Sequence, residues 1–199
     1  MPEGAATRWE IDRAHVSGEQ DRRLLADMVR GDDGAFEELY RSYHPRLVRF
    51  LSNLTRRPQL VEEVLNDTMI AVWEKPGSFR GASKVSTWIF AIAYRKAMKA
   101  LRRLDEPVES DPRTALRSED PSPDESLWHM ERAKLIQAAM QDLSPDHRTA
   151  VDLTYFHEMS YREIAEIMRC PVDTVKTRMF HARRHLKRLI AHDTADWAD

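Results

Sequence analysis

Two stretches of this 199-residue chain carry residues suited to holding a polyanion, and neither carries residues suited to making or breaking bonds. Between Phe79 and Arg103 stand Arg80, Lys84, Arg95, Lys96, Lys99, Arg102 and Arg103 with no Asp or Glu, a net charge of +7. Phe79 and Trp88 are interleaved with these cations. Cations for phosphates beside aromatic faces for unstacked bases are the chemistry of single-strand capture, with stacking worth ~1–3 kcal/mol per base. Phe79-Arg80-Gly81-Ala82-Ser83-Lys84 is the candidate capture loop, with Phe79 expected to be exposed after the Pro76-Gly77 break. Trp88 suits either a base or the core, whereas Ile89 reads as core. The second stretch, Ser160 to Ile190, sets eight basic residues against Glu163, Glu166 and Asp173, a net of +5. Between the two, Leu104 to Ser126 has a net charge of −6. The overall charge of −2 therefore hides two basic blocks around an acidic one.

The elements that must position these residues are helical. Leu47, Val48, Leu51 and Leu54 share one face, and Val61, Val64, Leu65, Thr68 and Val72 form a second stripe at helical spacing. Pro76-Gly77 ends that second helix. The next is expected from near Thr87, with Ile89, Ile92, Ala93, Ala97, Ala100, Leu101 and Leu104 facing inward. The acidic stretch from Asp105 to Ser126 contains four prolines and little to bury, which predicts a flexible linker. Beyond it, Ser144-Pro145 caps a helix, and Ser160-Tyr161-Arg162-Glu163 is a capping box opening another, with Tyr161, Ile164, Ala165 and Met168 buried. Arg169-Cys170-Pro171 breaks the chain before a basic helix with Val175, Met179, Ala182 and Leu186 as its apolar stripe. No alternating strand pattern occurs. The expectation is an all-α protein: two small helical domains joined by a flexible acidic linker, the C-terminal one containing a helix-turn-helix.

In a helix-turn-helix the second helix enters the major groove. Here it offers Asp173, Thr174, Lys176, Thr177, Arg178, His181, Arg183 and Arg184. Lys176 and Arg178 sit in its N-terminal half, where complementing the helix dipole cannot explain a cation. Arg178 suits a bidentate guanine contact or a phosphate contact. Lys187 and Arg188 fit either DNA or the dipole.

LSPDHRTAVDLTYFHEMSYREIAEIMRCPVDTVKTRMFHARRHLKRL resembles the C-terminal domain of extracytoplasmic-function sigma factors through Leu143, Pro145, Arg148, Ser160-Tyr161, Glu163-Ile164-Ala165, Pro171-Val172, Thr174-Val175-Lys176, Arg178 and Ala182-Arg183. LLADMVRGDDGAFEELYRSYHPRLVRFL, VEEVLNDTMIAVWEK and FRGASKVSTWIFAIAYRKAMKALRR are similar to the same family's first domain. The resemblance implies a non-enzymatic sigma factor with an N-terminal tail (1–20), a region 2 domain (21–104), a linker (105–126), a region 4 domain (127–192) and a C-terminal tail (193–199). It implies core RNA polymerase, promoter DNA and an anti-sigma factor as partners. The −10 element and its melting fall to Phe79, Arg80, Ser83, Lys84, Trp88, Arg95, Lys99 and Arg102, the −35 element to the helix-turn-helix residues above, and polymerase to Glu62, Glu63, Asn66, Asp67 and Trp73. This chain departs from the family at Arg169 and Asp173, where glycine is usual, and at Tyr94-Arg95, where Arg-Asn is common. A left-handed turn at Arg169 carries a cost on the order of 1 kcal/mol.

Other functions lack their residues. His157-Glu158-Met159-Ser160-Tyr161 has no second histidine for a zinc-protease helix. His181 and His185 have helical ligand spacing without an acid or cysteine to complete a metal site. There is no glycine-rich phosphate loop and no carboxylate pair, so no cofactor or metal is expected. Cys170 is the single cysteine, which fits a reducing cytoplasm. No apolar run reaches membrane-spanning length and the N-terminus has no signal-like apolar segment, so cytoplasmic localisation without membrane insertion is expected. The alternative is a stand-alone helix-turn-helix regulator, which leaves the acid-free +7 segment without a purpose.

Overall fold

A computed structural model describes residues 8–55, 57–105, 139–140 and 142–195. The described residues form α1 (Arg8–Val29), α2 (Asp33–Leu54), α3 (Pro58–Glu74), a short 3-10 turn (Pro76–Ser78), α4 (Val85–Asp105), α5 (Pro145–Tyr155), α6 (Tyr161–Met168) and α7 (Val172–Ala195), with no strand among them. The acidic segment read as a linker lies outside the described residues from position 106 onward. Helix α1 reaches back to Arg8, into the segment read as an N-terminal tail, and α7 runs on to Ala195.

Local chemistry sets the helix ends. Gly31 takes a positive φ of 90° to turn the chain out of α1, and the Asp32 carboxylate then caps α2 by accepting from the Gly34 and Ala35 N–H groups. Pro58 and Pro145 stand in the first turns of α3 and α5, where their missing N–H is not needed. Ser144 caps α5, and Ser160 and Glu163 form a reciprocal capping box on α6. Arg169 ends α6 with φ 51° and ψ 51°, a left-handed turn made without glycine.

The α3 stripe is buried as read, Val61, Val64, Leu65, Thr68 and Val72 all facing the core. Helix α4 begins at Val85, two residues before the expected Thr87, and its buried set is wider than one stripe. Phe90, Ala91 and Tyr94 are buried together with Ile89, Ala93 and Ala97, because α4 packs against α3 on one side and α6 on the other. Leu104, expected inside, is 46% exposed at the helix end. Ile167 joins Ile164, Ala165 and Met168 in the core of α6.

The two helical groups share one contiguous buried cluster, running from Leu24 in α1 to Ala182 in α7. At its centre Phe50 of α2 meets Phe90 of α4 edge-on at 5.2 Å between ring centroids. His157, from the loop after α5, lies 4.6 Å from the Phe90 ring and 6.1 Å from that of Phe50.

Candidate nucleic-acid interface

Helices α6 and α7 flank the Arg169 turn as a helix-turn-helix, held by Val175, Met179 and Ala182 against Ile164, Ile167 and Met168. The expected DNA-reading residues then divide between two faces of α7. Asp173, Lys176, Thr177, His181, Arg183 and Arg184 are exposed, and Thr174 is half-buried. Lys176 is 3.0 Å from Asp173, a largely exposed ion pair worth little in water. Arg183 donates to the Tyr155 hydroxyl at 2.9 Å and to that of Tyr161 at 3.3 Å, which fixes its fork along the outer surface. Phe180, which the apolar stripe does not include, is 62% exposed among Lys176, Arg183, Arg184 and Lys187.

Arg178 lies on the inner side. Its guanidinium pairs with Asp146 of α5 and reaches the Cys170 and Met168 sulfurs. Asp146 also accepts from the Tyr94 hydroxyl of α4 at 3.2 Å, so one carboxylate ties the recognition helix to the first helical group. Burial, and then Asp146, push the Tyr94 hydroxyl up to about 12. Tyr94 stands where the family commonly has arginine, and here it joins the two groups.

The segment expected to capture single-stranded DNA sits on the same junction. Phe79 is half-buried rather than exposed, its ring 5.6 Å from that of Trp88 and tilted by 54°. Arg80, Lys99 and Arg102 are exposed, and Ser83 and Trp88 are half-buried. Lys84 crosses to Glu163 of α6 at 2.9 Å. Arg95 is half-buried near Arg169; desolvation and that like charge both lower it. A residue expected at the −10 element thus faces the helix-turn-helix turn with the same sign of charge.

Further contacts close the junction. Asn53 donates to Asp152 Oδ1 at 2.5 Å, and Arg148 donates to the Asn53 carbonyl at 3.2 Å and to those of Met140 and Leu143. His157 Nε2 lies 3.2 Å from Asp152 Oδ2, an ion-pair distance without hydrogen-bonding angles, with both side chains almost fully buried. Arg49 lies over the Phe156 ring at 3.9 Å. Asp146 and Asp152 were not among the residues singled out from the sequence, and nothing local marks them: Arg178 lies 32 positions from Asp146, and Asn53 lies 99 from Asp152.

Glu163 links this junction to the fold of α6. Burial alone raises its carboxyl, but the bonds from Ser160 and Lys84 outweigh it and hold Glu163 below the ordinary value of 4.5. That stabilisation is complete above the ordinary carboxylate pKa and is lost as pH falls through the lower folded value. Ser160→Ala should cost about 1 kcal/mol by denaturant midpoint. Glu163→Gln should remove the corresponding loss of stability on acidification; an unchanged acid limb in that variant would refute the assignment.

A third surface stands apart. On α3 the expected polymerase-facing Glu62, Glu63, Asn66 and Asp67 are exposed, Asp67 bonding Lys96 of α4 at 3.2 Å. Trp73 is 54% exposed rather than core, 6.4 Å from the Phe36 ring, and Ile70 beside it is 50% exposed. Ile70 lies off the buried stripe, a position at which an apolar residue is itself the signal. No group of three or more potential metal ligands occurs among the described residues.

These surfaces coincide with two known sequence families: Sigma-70 region 2 matches residues 39–106, and Sigma-70 region 4 matches residues 133–186. The chain is 31% identical to the RNA polymerase sigma-H factor of Pseudomonas aeruginosa over 88% of its length and 96% of that protein's. It is 32% identical to the ECF RNA polymerase sigma-E factor of Haemophilus influenzae over 85% of its length and 95% of that protein's. Among solved structures it is similar to the sigma factor RpoE of Bartonella quintana in complex with the anti-sigma factor NepR, with a TM-score of 0.66, 26% identity, and coverage of 78% of this chain and 96% of that one. The fold is also that of CnrH in complex with the cytosolic domain of CnrY, at a TM-score of 0.65 and 24% identity over 87% of this chain and 99% of that one. The chain belongs to the extracytoplasmic-function family of RNA polymerase sigma factors. Its function is that of an alternative sigma factor, directing RNA polymerase to a set of promoters.

Proposed function

We propose that the chain divides promoter reading and polymerase docking among its three surfaces and performs no catalysis of its own. The outer face of α7 reads the −35 element through Lys176, Thr177, Phe180, His181, Arg183 and Arg184, with Asp173 and Thr174 at the start of the helix. The observation that carries this reading is the exposed basic face around Phe180, whose ring suits a thymine methyl group. Arg178 serves in this arrangement as a tie to Asp146 and reaches DNA only if that tie opens. The segment containing Phe79, Arg80, Ser83, Lys84, Trp88, Arg95, Lys99 and Arg102 captures the −10 strand. The exposed face of α3, with Glu62, Glu63, Asn66, Asp67 and Trp73 joined by Ile70, docks on core polymerase.

Because Lys84 and Arg95 face the helix-turn-helix, the present packing is a closed state, and promoter binding requires the two groups to part. An anti-sigma factor holding this closed form is the natural regulator, in line with the complexes in which the similar structures were solved. Action in the cytoplasm follows from the need to meet polymerase and DNA; no described helix is long and apolar enough to cross a membrane.

Transcription from a matched promoter by core polymerase plus this chain tests the reading. Stable operator binding by the free chain with no polymerase association would overturn it in favour of a stand-alone regulator. Lys176→Ala should weaken −35 duplex binding and reduce the salt slope by about one unit, as expected for one lost phosphate contact. Anisotropy titrations at several salt concentrations measure both, and an unchanged slope removes Lys176 from the interface.

A further inference from the structure

A cavity of about 440 Å³ opens beside the Phe180 face of α7, sharing Arg184 with it, between the second half of that helix and the Asp142–His147 turn. Its polar lining is Ser144, His147, His181, Arg184, His185 and Arg188, with Asp142 the single acid. The His147 and His181 rings stand 6.2 Å apart, and His147 Nδ1 is held 2.7 Å from the Ser144 hydroxyl. Arg188 contacts His185 Nδ1 at 3.3 Å. A guanidinium can only donate, so this nitrogen accepts and the proton of neutral His185 sits on Nε2. That N–H is buried, and no described residue accepts it. Two permanent cations and three imidazoles beside one acid make a site short of negative charge.

We propose that this cleft binds a phosphate group, held by Arg184 and Arg188 with the imidazoles of His147 and His181 beside them. The charged groups facing the imidazoles are Asp142 from the turn, Asp146 from α5, and Arg178, Arg184 and Arg188 from α7. Burial, followed by His181 and Arg178, lowers His147 below the ordinary imidazole value, and an arriving anion reverses the effect of those cations. The phosphate comes either from the backbone of DNA lying against α7 or from a free phosphate ion. The first source rests on the −35 reading above, and the second does not.

Imidazole NMR signals of the full chain, titrated separately with inorganic phosphate and with a −35 duplex, test the proposal, with His44 and His157 as references outside the cleft. Saturable shifts at His147, His181 and His185 are expected, strengthening several-fold from about pH 8 to about pH 6 and weakened several-fold in Arg188→Gln. Shifts with inorganic phosphate assign a free ion; shifts with the duplex alone assign the DNA backbone. Silence in both titrations, or shifts that never saturate, overturn the cleft. If Lys176→Ala still alters the salt slope in that case, the −35 reading survives without His181 and the cleft has failed.

Discussion

Phe90→Ala should lower the stability of the chain by roughly 3–5 kcal/mol, measured by denaturant unfolding at constant slope. Phe90 is fully buried in α4 and packs against Phe50 of the first helical group and His157 of the second. Truncation therefore opens a void where both groups meet, and neither can collapse into it without leaving the other. The loss should appear as a single displaced transition rather than as melting of one group. A second transition emerging at unchanged overall midpoint would mean that the Phe50–Phe90–His157 contact is not structural cement. Leu104→Ala, at an exposed helix end, is the matched control and should stay within about 0.5 kcal/mol of the parent.

The second large effect concerns function without stability. Trp73→Ala should leave the unfolding midpoint close to that of the parent, because more than half of the side chain already faces solvent. It should weaken association with core polymerase by 2 kcal/mol or more, about thirtyfold, as expected for an aromatic anchor at the centre of an interface. Ile70 beside it should behave similarly on a smaller scale, whereas Glu62→Gln should alter mainly the salt dependence. Pull-down with core enzyme and single-round transcription measure the loss. Normal polymerase affinity in both Trp73→Ala and Ile70→Ala would place the docking surface elsewhere.

The features legible in the sequence are those set by near neighbours. The α3 stripe and the Ser160–Glu163 capping box depend on residues within one or two turns, and each stands as read. Helix α4 was legible only in part, because a single stripe describes a helix with one buried face. Packing between α3 and α6 gives it a second, which Phe90, Ala91 and Tyr94 fill. Arg178 illustrates the same limit for the site. Its type and place in the recognition helix point outward to DNA, yet Asp146, 32 residues earlier, draws it inward. Trp73 and Phe180 were open to detection in another way, as apolar residues on otherwise polar faces.

In the proposed function, the closed packing also sets a threshold for recruitment. If only the separated form engages polymerase, the apparent affinity falls by the fraction of molecules that are separated. Each 1.4 kcal/mol held in the Lys84–Glu163, Tyr94–Asp146 and Asn53–Asp152 contacts then costs about tenfold in apparent affinity. Substitutions at the junction, far from polymerase or DNA, would thus tune how well this chain competes with other sigma factors for a limited pool of core enzyme. Loosening the junction makes a stronger competitor at every promoter, and tightening it makes one that waits for a signal.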